Sequence, residues 1–451
     1  MKSKAVWVKL GILSLVTLML LLVLSRIGWL VDERQLRQRE AVENVASSQA
    51  AEQTLIGPML SRWCVESWEE LTGSGADRKM ERQRREFTLM QLPAQLSVDG
   101  DLNQETRYRG VFKVRGYAGR VLLKAHFADL SALVAAPEHP GGQLTCSDPQ
   151  MAVSVADPRG LQSVDIRRGS DPLPVASGTG NTTFPRGLRA PLRQQALDQP
   201  LDLSVALQLS GTTRFAVVPA ASATEVRLRS DWPHPSFGGR FLPSPGTRTV
   251  DASGFSAEWK VSELATDAMA DVMNGQKNLD TLDFSMVDPI NPYVMSDRAI
   301  KYGLMFIVLT FVCVGLLELL VGRRVHPVQY LLVGLAISVF FLLLLSLSEH
   351  LSFGLSYGAA AAAVVSLLSF YGMWMLHHRG QGLAFGALVA LLYGALYVVL
   401  IQEQTALLIG ALLLFSVLAL VMVLTRRIDW YGLQEQIGTP PETPFGVPAR
   451  R

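Results

Sequence analysis

Hydrophobic positions along this chain follow two different periods. Near the N-terminus, residues 6–24 read VWVKLGILSLVTLMLLLVL, broken only by Lys9. Five more apolar runs follow residue 298, at about 299–321, 328–347, 353–376, 383–401 and 406–424. Each approaches or exceeds the roughly 20 residues that carry an α-helix across a hydrocarbon core, so six spans are expected. Between the first run and the rest, apolar residues alternate instead. In LDLSVALQLSG, Leu201, Leu203, Val205, Leu207 and Leu209 share one face of an extended strand. FTLMQLP, GVFKVRGY, RVLLKAHF, MAVSVAD, LQSVDIRR, TRFAVVP, TEVRLRS and FSAEWKV have the same character, and signals such as VDGDLN and ADPRG read as the turns between them.

Nine or more short strands with no clear helices between them predict an antiparallel, sandwich-like all-β domain, because one short-stranded sheet cannot bury its apolar face alone. Residues 32–54 lack Pro and Gly and should continue the first helix into solvent. The Pro-, Gly- and Ser-rich stretch 169–200 reads as a long loop or an insertion. The fold class is therefore a membrane protein: six transmembrane helices plus a large β domain. Residues 1–29 form the N-terminus and first helix, 30–298 the β domain, 299–424 five helices, and 425–451 a largely disordered tail.

Lys and Arg in the short segments set the orientation. Lys2, Lys4 and Lys9 lie at the first span, Arg323 and Arg324 after the second, Arg379 after the fourth, and Arg426 and Arg427 after the sixth. The other two short loops carry Glu349–His350 and Glu403 without a Lys or Arg. Both termini are thus expected in the cytoplasm and residues 30–298 outside. The first apolar run exceeds the length of a signal-peptide core and lacks a small-x-small site after it, so it reads as an uncleaved anchor.

A formal net charge of +2 gives no support to nucleic-acid binding. Of three cysteines, Cys64 and Cys146 would lie in an oxidising compartment, where a disulfide between them is open but not required by their spacing. Cys313 sits within an apolar run.

Four stretches form longer words: SDWPHPSFGGRFLP (230–243), VDPINPYVMSDRAIKYGLMFIVLTF (287–311), LLELLVGRRVHPVQYLLVGLAISVFFLLLLSLSEHLSF (316–353) and TRRIDWYGL (425–433). With these the chain resembles the CreD family of bacterial inner-membrane proteins over nearly its whole length. The resemblance implies a Gram-negative inner-membrane protein of cell-envelope integrity, with residues 30–298 periplasmic. It brings no catalytic residues, and no cofactor or metal is expected.

Candidate residues are few. Glu318 is the one carboxylate well inside a span; it reads either as a helix-end ion pair with Arg323 or Arg324, or as the ionisable residue of a transport pathway. His326 reads as a turn histidine and His377–His378–Arg379 as a topology signal. GLSYG (354–358) matches the Gly-x-Ser-x-Gly pattern, with His350 six residues before Ser356, but lacks the soluble strand–turn–helix that a nucleophile elbow needs. Small-residue helix packing explains it better than an intramembrane hydrolase. In the 230–244 stretch, Pro233 and Pro235 exclude a central strand. It reads as a rigid loop capping the sandwich, with Trp232, His234, Phe237 and Phe241 as candidate interaction residues. The expected partners are the lipid bilayer and an envelope component or membrane protein. The reading with the most support is a non-enzymatic envelope protein whose β domain binds or senses such a component; a small-molecule or ion transporter using Glu318 is the alternative, and a hydrolase on Ser356 and His350 stands behind both.

Overall fold

The computed structural model describes residues 3–72, 79–288, 291–321, 325–376, 378–402 and 406–426. The chain divides into a helical unit, residues 1–37 with 290–451, and a β-rich unit, residues 38–289.

The helical elements are α1 (Ser3–Ser48), α2 (Ala268–Met273), α3 (Pro292–Lys301), α4 (Gly303–Val321), α5 (Pro327–Ser348), α6 (Phe353–Met375), α7 (Arg379–Ile401) and α8 (Ala406–Thr425). Only α2 belongs wholly to the β-rich unit. Among the described residues four helices are long and apolar enough to cross a bilayer: α1 from Gly11, α5, α6 and α7. A fifth crossing results if α3 and α4 count as one span. The expected straight second span is instead bent by 46° there, at Tyr302. The apolar run continues through the bend, so hydropathy alone does not reveal it. The sixth expected span falls on α8, whose described apolar part, Leu408–Val423, is shorter than a full crossing.

The helices pack through one apolar core that includes Leu20, Phe306, Tyr330, Phe340, Phe341 and Phe385. Fully burying such side chains contributes roughly 1.5–3 kcal/mol each where water is the alternative; in a bilayer the gain comes from close packing. Gly334 illustrates it: a Cβ there would lie 2.2 Å from Leu20 Cδ1, so its absence lets α1 seat directly on α5.

The β-rich unit is a sandwich of two sheets. The first, nine-stranded, runs β14 (Pro235–Gly239), β17 (Leu282–Met286), β12 (Arg214–Val217), β1 (Gln53–Thr72), β6 (Gln150–Val155), β10 (Gly187–Pro191) and β9 (Ala176–Ser177), with β2 (Lys79–Gln91) and β5 (Gln143–Cys146) also paired to β1. The second, eight-stranded, runs β15 (Thr249–Asp251), β16 (Gly254–Ser262), β13 (Ala223–Ser230), β3 (Gln95–Arg109), β4 (Phe112–Phe127), β11 (Leu201–Thr212), β7 (Leu161–Arg168) and β8 (Asp171–Pro172). One core takes side chains from both, among them Leu55, Val153 and Phe215 from the first sheet and Val98, Val121 and Trp259 from the second. The alternation in β11 is realised, with Leu201, Leu203, Val205, Leu207 and Leu209 all buried.

Four expectations need correction. The sheets are not purely antiparallel: β1 pairs parallel with β12, and β13 with β3. GVFKVRGY and RVLLKAHF are one strand, β4, and the supposed turn VDGDLN lies inside β3, paired against it. The glycines that suggested breaks permit close approach instead. A Cβ at Gly119 would sit 1.9 Å from the Asp101 carbonyl oxygen on the neighbouring strand. Finally, the stretch 169–200 is not one long loop, because β8, β9 and β10 lie within it. The first helix also stops at Ser48, several residues before the expected 54.

Candidate functional site

In the helical unit the ionisable side chains gather at two levels. Near the start of α1, Lys9 donates to Glu318 Oε1 of α4 at 2.5 Å, while the Tyr330 hydroxyl of α5 donates to Glu318 Oε2 at 2.9 Å. The Lys9 ammonium also lies 5.6 Å from the centre of the Tyr330 ring, within cation–π range. Farther along α1, Arg34 lies 3.4 Å from Glu349 at the C-terminal end of α5, and the Tyr293 hydroxyl of α3 approaches the same carboxylate oxygen at 3.4 Å. At 1.5 Å rise per residue, Lys9 and Arg34 are about 37 Å apart along α1, and Tyr330 and Glu349 about 28 Å apart along α5. These spacings bracket the roughly 30 Å of a hydrocarbon core. Each cluster ties helices distant in sequence, and each carboxylate is mostly covered, with 16% of the Glu318 side chain and 11% of Glu349 exposed.

Glu318 is therefore in an ion pair, with a partner that sequence reasoning missed. The expected partners Arg323 and Arg324 lie outside the described residues. In the sequence Lys9 is a charge that interrupts the first run and marks orientation; nothing local links it to a residue 309 positions away. His326 is the N-cap of α5: its Nδ1 accepts the Val328 N–H at 3.3 Å, and the Gln329 side chain accepts the His326 N–H at 2.9 Å. His377 lies outside the described residues. Among the described residues no group of three metal-ligating side chains comes together.

Ser356 is buried in the body of α6 and its hydroxyl donates to the Ser352 carbonyl at 3.0 Å. No hydrogen bond joins it to His350 among the described residues. This is the ordinary way a serine satisfies itself within a helix, not a nucleophile held against a base.

In the β-rich unit Cys64 and Cys146 form a disulfide across directly opposed positions of β1 and β5. Two residues on, the buried Glu66 carboxylate accepts the backbone N–H groups of Glu138 at 2.8 Å and His139 at 2.9 Å. The His139 N–H, foremost, holds Glu66 below the usual carboxylate range. The His139 ring stacks on Trp68 at 3.7 Å. A cysteine, a carboxylate and an indole on alternate residues of one strand thus anchor a segment more than seventy residues away.

At the other end of β1, Asp157 is held at about pKa 2, chiefly by the Arg159 side chain and then by the Ala51 N–H. Arg159 also reaches the carbonyls of Ala46 and Ser47 in the last turn of α1, where a cation is favoured.

Three of the four candidate aromatics at 232–241 turn inward. Trp232 is 4% exposed, its indole N–H donates to the His234 carbonyl at 2.7 Å, and Arg115 covers its ring at 4.9 Å. Phe237 packs edge-on against Phe255 and Trp259, and the Phe241 carbonyl accepts the Trp259 indole N–H. Only His234 faces solvent. Residues 235–239 form β14, an end strand as the prolines require. The rings of Trp232, Phe237 and Phe241 supply core packing.

Residues 5–431 match the family model described as "Inner membrane protein CreD". Among curated proteins, the Inner membrane protein CreD of Escherichia coli (strain K12) is 34% identical over 438 residues, covering 96% of this chain and 95% of that protein.

Proposed function

The chain belongs to the CreD family of inner membrane proteins, and from that premise we propose that it is a multi-pass protein maintaining cell-envelope integrity, with its β-rich unit in the periplasm binding an envelope component. In this reading α8 completes six crossings and both termini are cytoplasmic, as the Lys and Arg distribution favours. The observation that carries the periplasmic assignment is the Cys64–Cys146 disulfide, a bond that persists in oxidising compartments and is rare in the reducing cytosol.

A binding role is favoured over transport because both oxygens of Glu318 are engaged by Lys9 and Tyr330. It is favoured over hydrolysis because Ser356 donates into its own helix.

The test is complementation of a strain lacking the gene, scored by leakage of a periplasmic reporter and by detergent sensitivity. Glu318→Gln and Ser356→Ala are expected to rescue at normal protein levels. Loss of rescue by Glu318→Gln with protein still in the membrane would transfer the function to the helical unit. Attack by a membrane-impermeant maleimide on a cysteine placed at the exposed Asp171 of intact spheroplasts tests the orientation.

A further inference from the structure

The outer face of the first sheet carries a groove of about 610 Å³, within the range of small-ligand sites. Its apolar lining is formed by Ile56 of β1, Val218 just past β12, Phe184 and Leu279. Its polar side is cationic: Arg186, Arg214 and Lys277 line it, and no carboxylate does.

The three cations differ in what they already hold. Arg214 donates to Asp283 at 2.5 Å and to Thr281 at 3.0 Å, so its charge is neutralised from outside the groove. Arg186 makes one long contact, to the Ala156 carbonyl at 3.4 Å, and Lys277 makes none; among the described residues neither has a carboxylate partner. The loop presenting Arg186 is nevertheless fixed. Asn181 Oδ1 accepts the N–H groups of Thr183 and Phe184, the Thr179 hydroxyl donates to the Phe184 carbonyl, and the Ser154 hydroxyl donates to the Arg186 carbonyl. Among the described residues, Arg186 on its ordered loop and Lys277 thus stand without a carboxylate partner beside an apolar lining.

We propose that this groove binds an anionic amphiphile bearing a phosphate, with the phosphate between Arg186 and Lys277 and the apolar portion against Ile56, Phe184 and Leu279. A guanidinium matches phosphate oxygens two at a time. The apolar lining, with Ile56, Phe184 and Leu279 in it, rewards an apolar body. The inference rests on the binding role proposed above and names the class of envelope component.

The test uses the full-length protein in phosphatidylcholine nanodiscs. Dihexanoyl phosphatidylglycerol is titrated below its micellar concentration, against dihexanoyl phosphatidylcholine and inorganic phosphate. The phosphatidylglycerol is expected to bind roughly tenfold or more tightly than either comparator. Arg186→Gln with Lys277→Gln should weaken it by roughly tenfold or more, and Arg186→Lys should retain most of it. Both positions are exposed, so an unchanged thermal unfolding midpoint is the check that the variants are folded. Equal affinity for phosphatidylcholine, or no effect of the double substitution, overturns the proposal. Inorganic phosphate binding as tightly as the lipid overturns its amphiphilic part. Affinity on purified protein is independent of the leakage assay: a protein that binds the lipid but fails to rescue faults the envelope role, whereas one that rescues without binding faults the groove.

Discussion

The helical and β-rich units solve the same problem, where to put charge, in opposite ways. In the helical unit the ion pairs that join different helices, Lys9–Glu318 and Arg34–Glu349, sit at two separate levels. A helix satisfies its own backbone, so its outer face is free to be hydrophobic throughout. In the β-rich unit each strand must present every second residue outward. Charge is spread over both outer faces and forms a rim wherever loops rise beside them. Polar groups in the first unit therefore mark its ends, whereas in the second they are available to mark a ligand.

Breaking each unit's principal cross-link should sharpen that contrast. The largest effect is expected from replacing Cys64 and Cys146 together by Ser, since a bond closing a loop of 82 residues typically contributes about 2–5 kcal/mol. Denaturant unfolding followed by proteolysis should show the loss in the β-rich unit, with the helical unit's protection unchanged. Next comes a double-mutant cycle on Lys9→Met and Glu318→Leu. Removing one partner of a covered pair strands the other, but Lys9 is a third exposed, so a single change should cost about 1–3 kcal/mol and the double change less than the sum of the two. Additive losses would mean the two groups do not interact.

A smaller effect follows from Asp157. Its folded pKa of about 2 lies below the ordinary 3.8, so its contribution is fully present above about pH 4 and disappears as the pH falls towards 2. The amount is at most about 2 kcal/mol. Asp157→Asn should lower stability at pH 7 and flatten the acid limb of the stability curve; an unchanged acid limb would contradict the assignment. The smallest effect belongs to Ser356→Ala, expected within about 0.5 kcal/mol and without functional loss.

How much of this was legible in the sequence differs between the units for the same reason. Long apolar runs are local, so α5, α6 and α7 fell where hydropathy put them. The bend at Tyr302 did not show, because both of its arms are apolar. Glu318 stood out as a carboxylate inside a run, yet its partner could not be read from 309 positions away. In the β-rich unit the inward face of β11 was plain from alternation, whereas Gly100 and Gly119 looked like turns because only the neighbouring strand explains them. The prolines at 233 and 235 correctly excluded a central strand. They also broke the alternation that would have shown Trp232 and Phe237 facing inward. Nothing local joined Arg186 to Lys277, which only the fold brings to one groove.

The parallel pairing of β1 with β12 has a consequence for how the protein is made. Gln53 waits for Phe215, its register partner, about 160 residues later in synthesis. At ~5–20 residues per second the delay is on the order of ten to thirty seconds. During that interval the edge of β1 at Gln53–Leu55 has no parallel strand to pair with, so biogenesis, more than the finished fold, is where this protein should depend on chaperones.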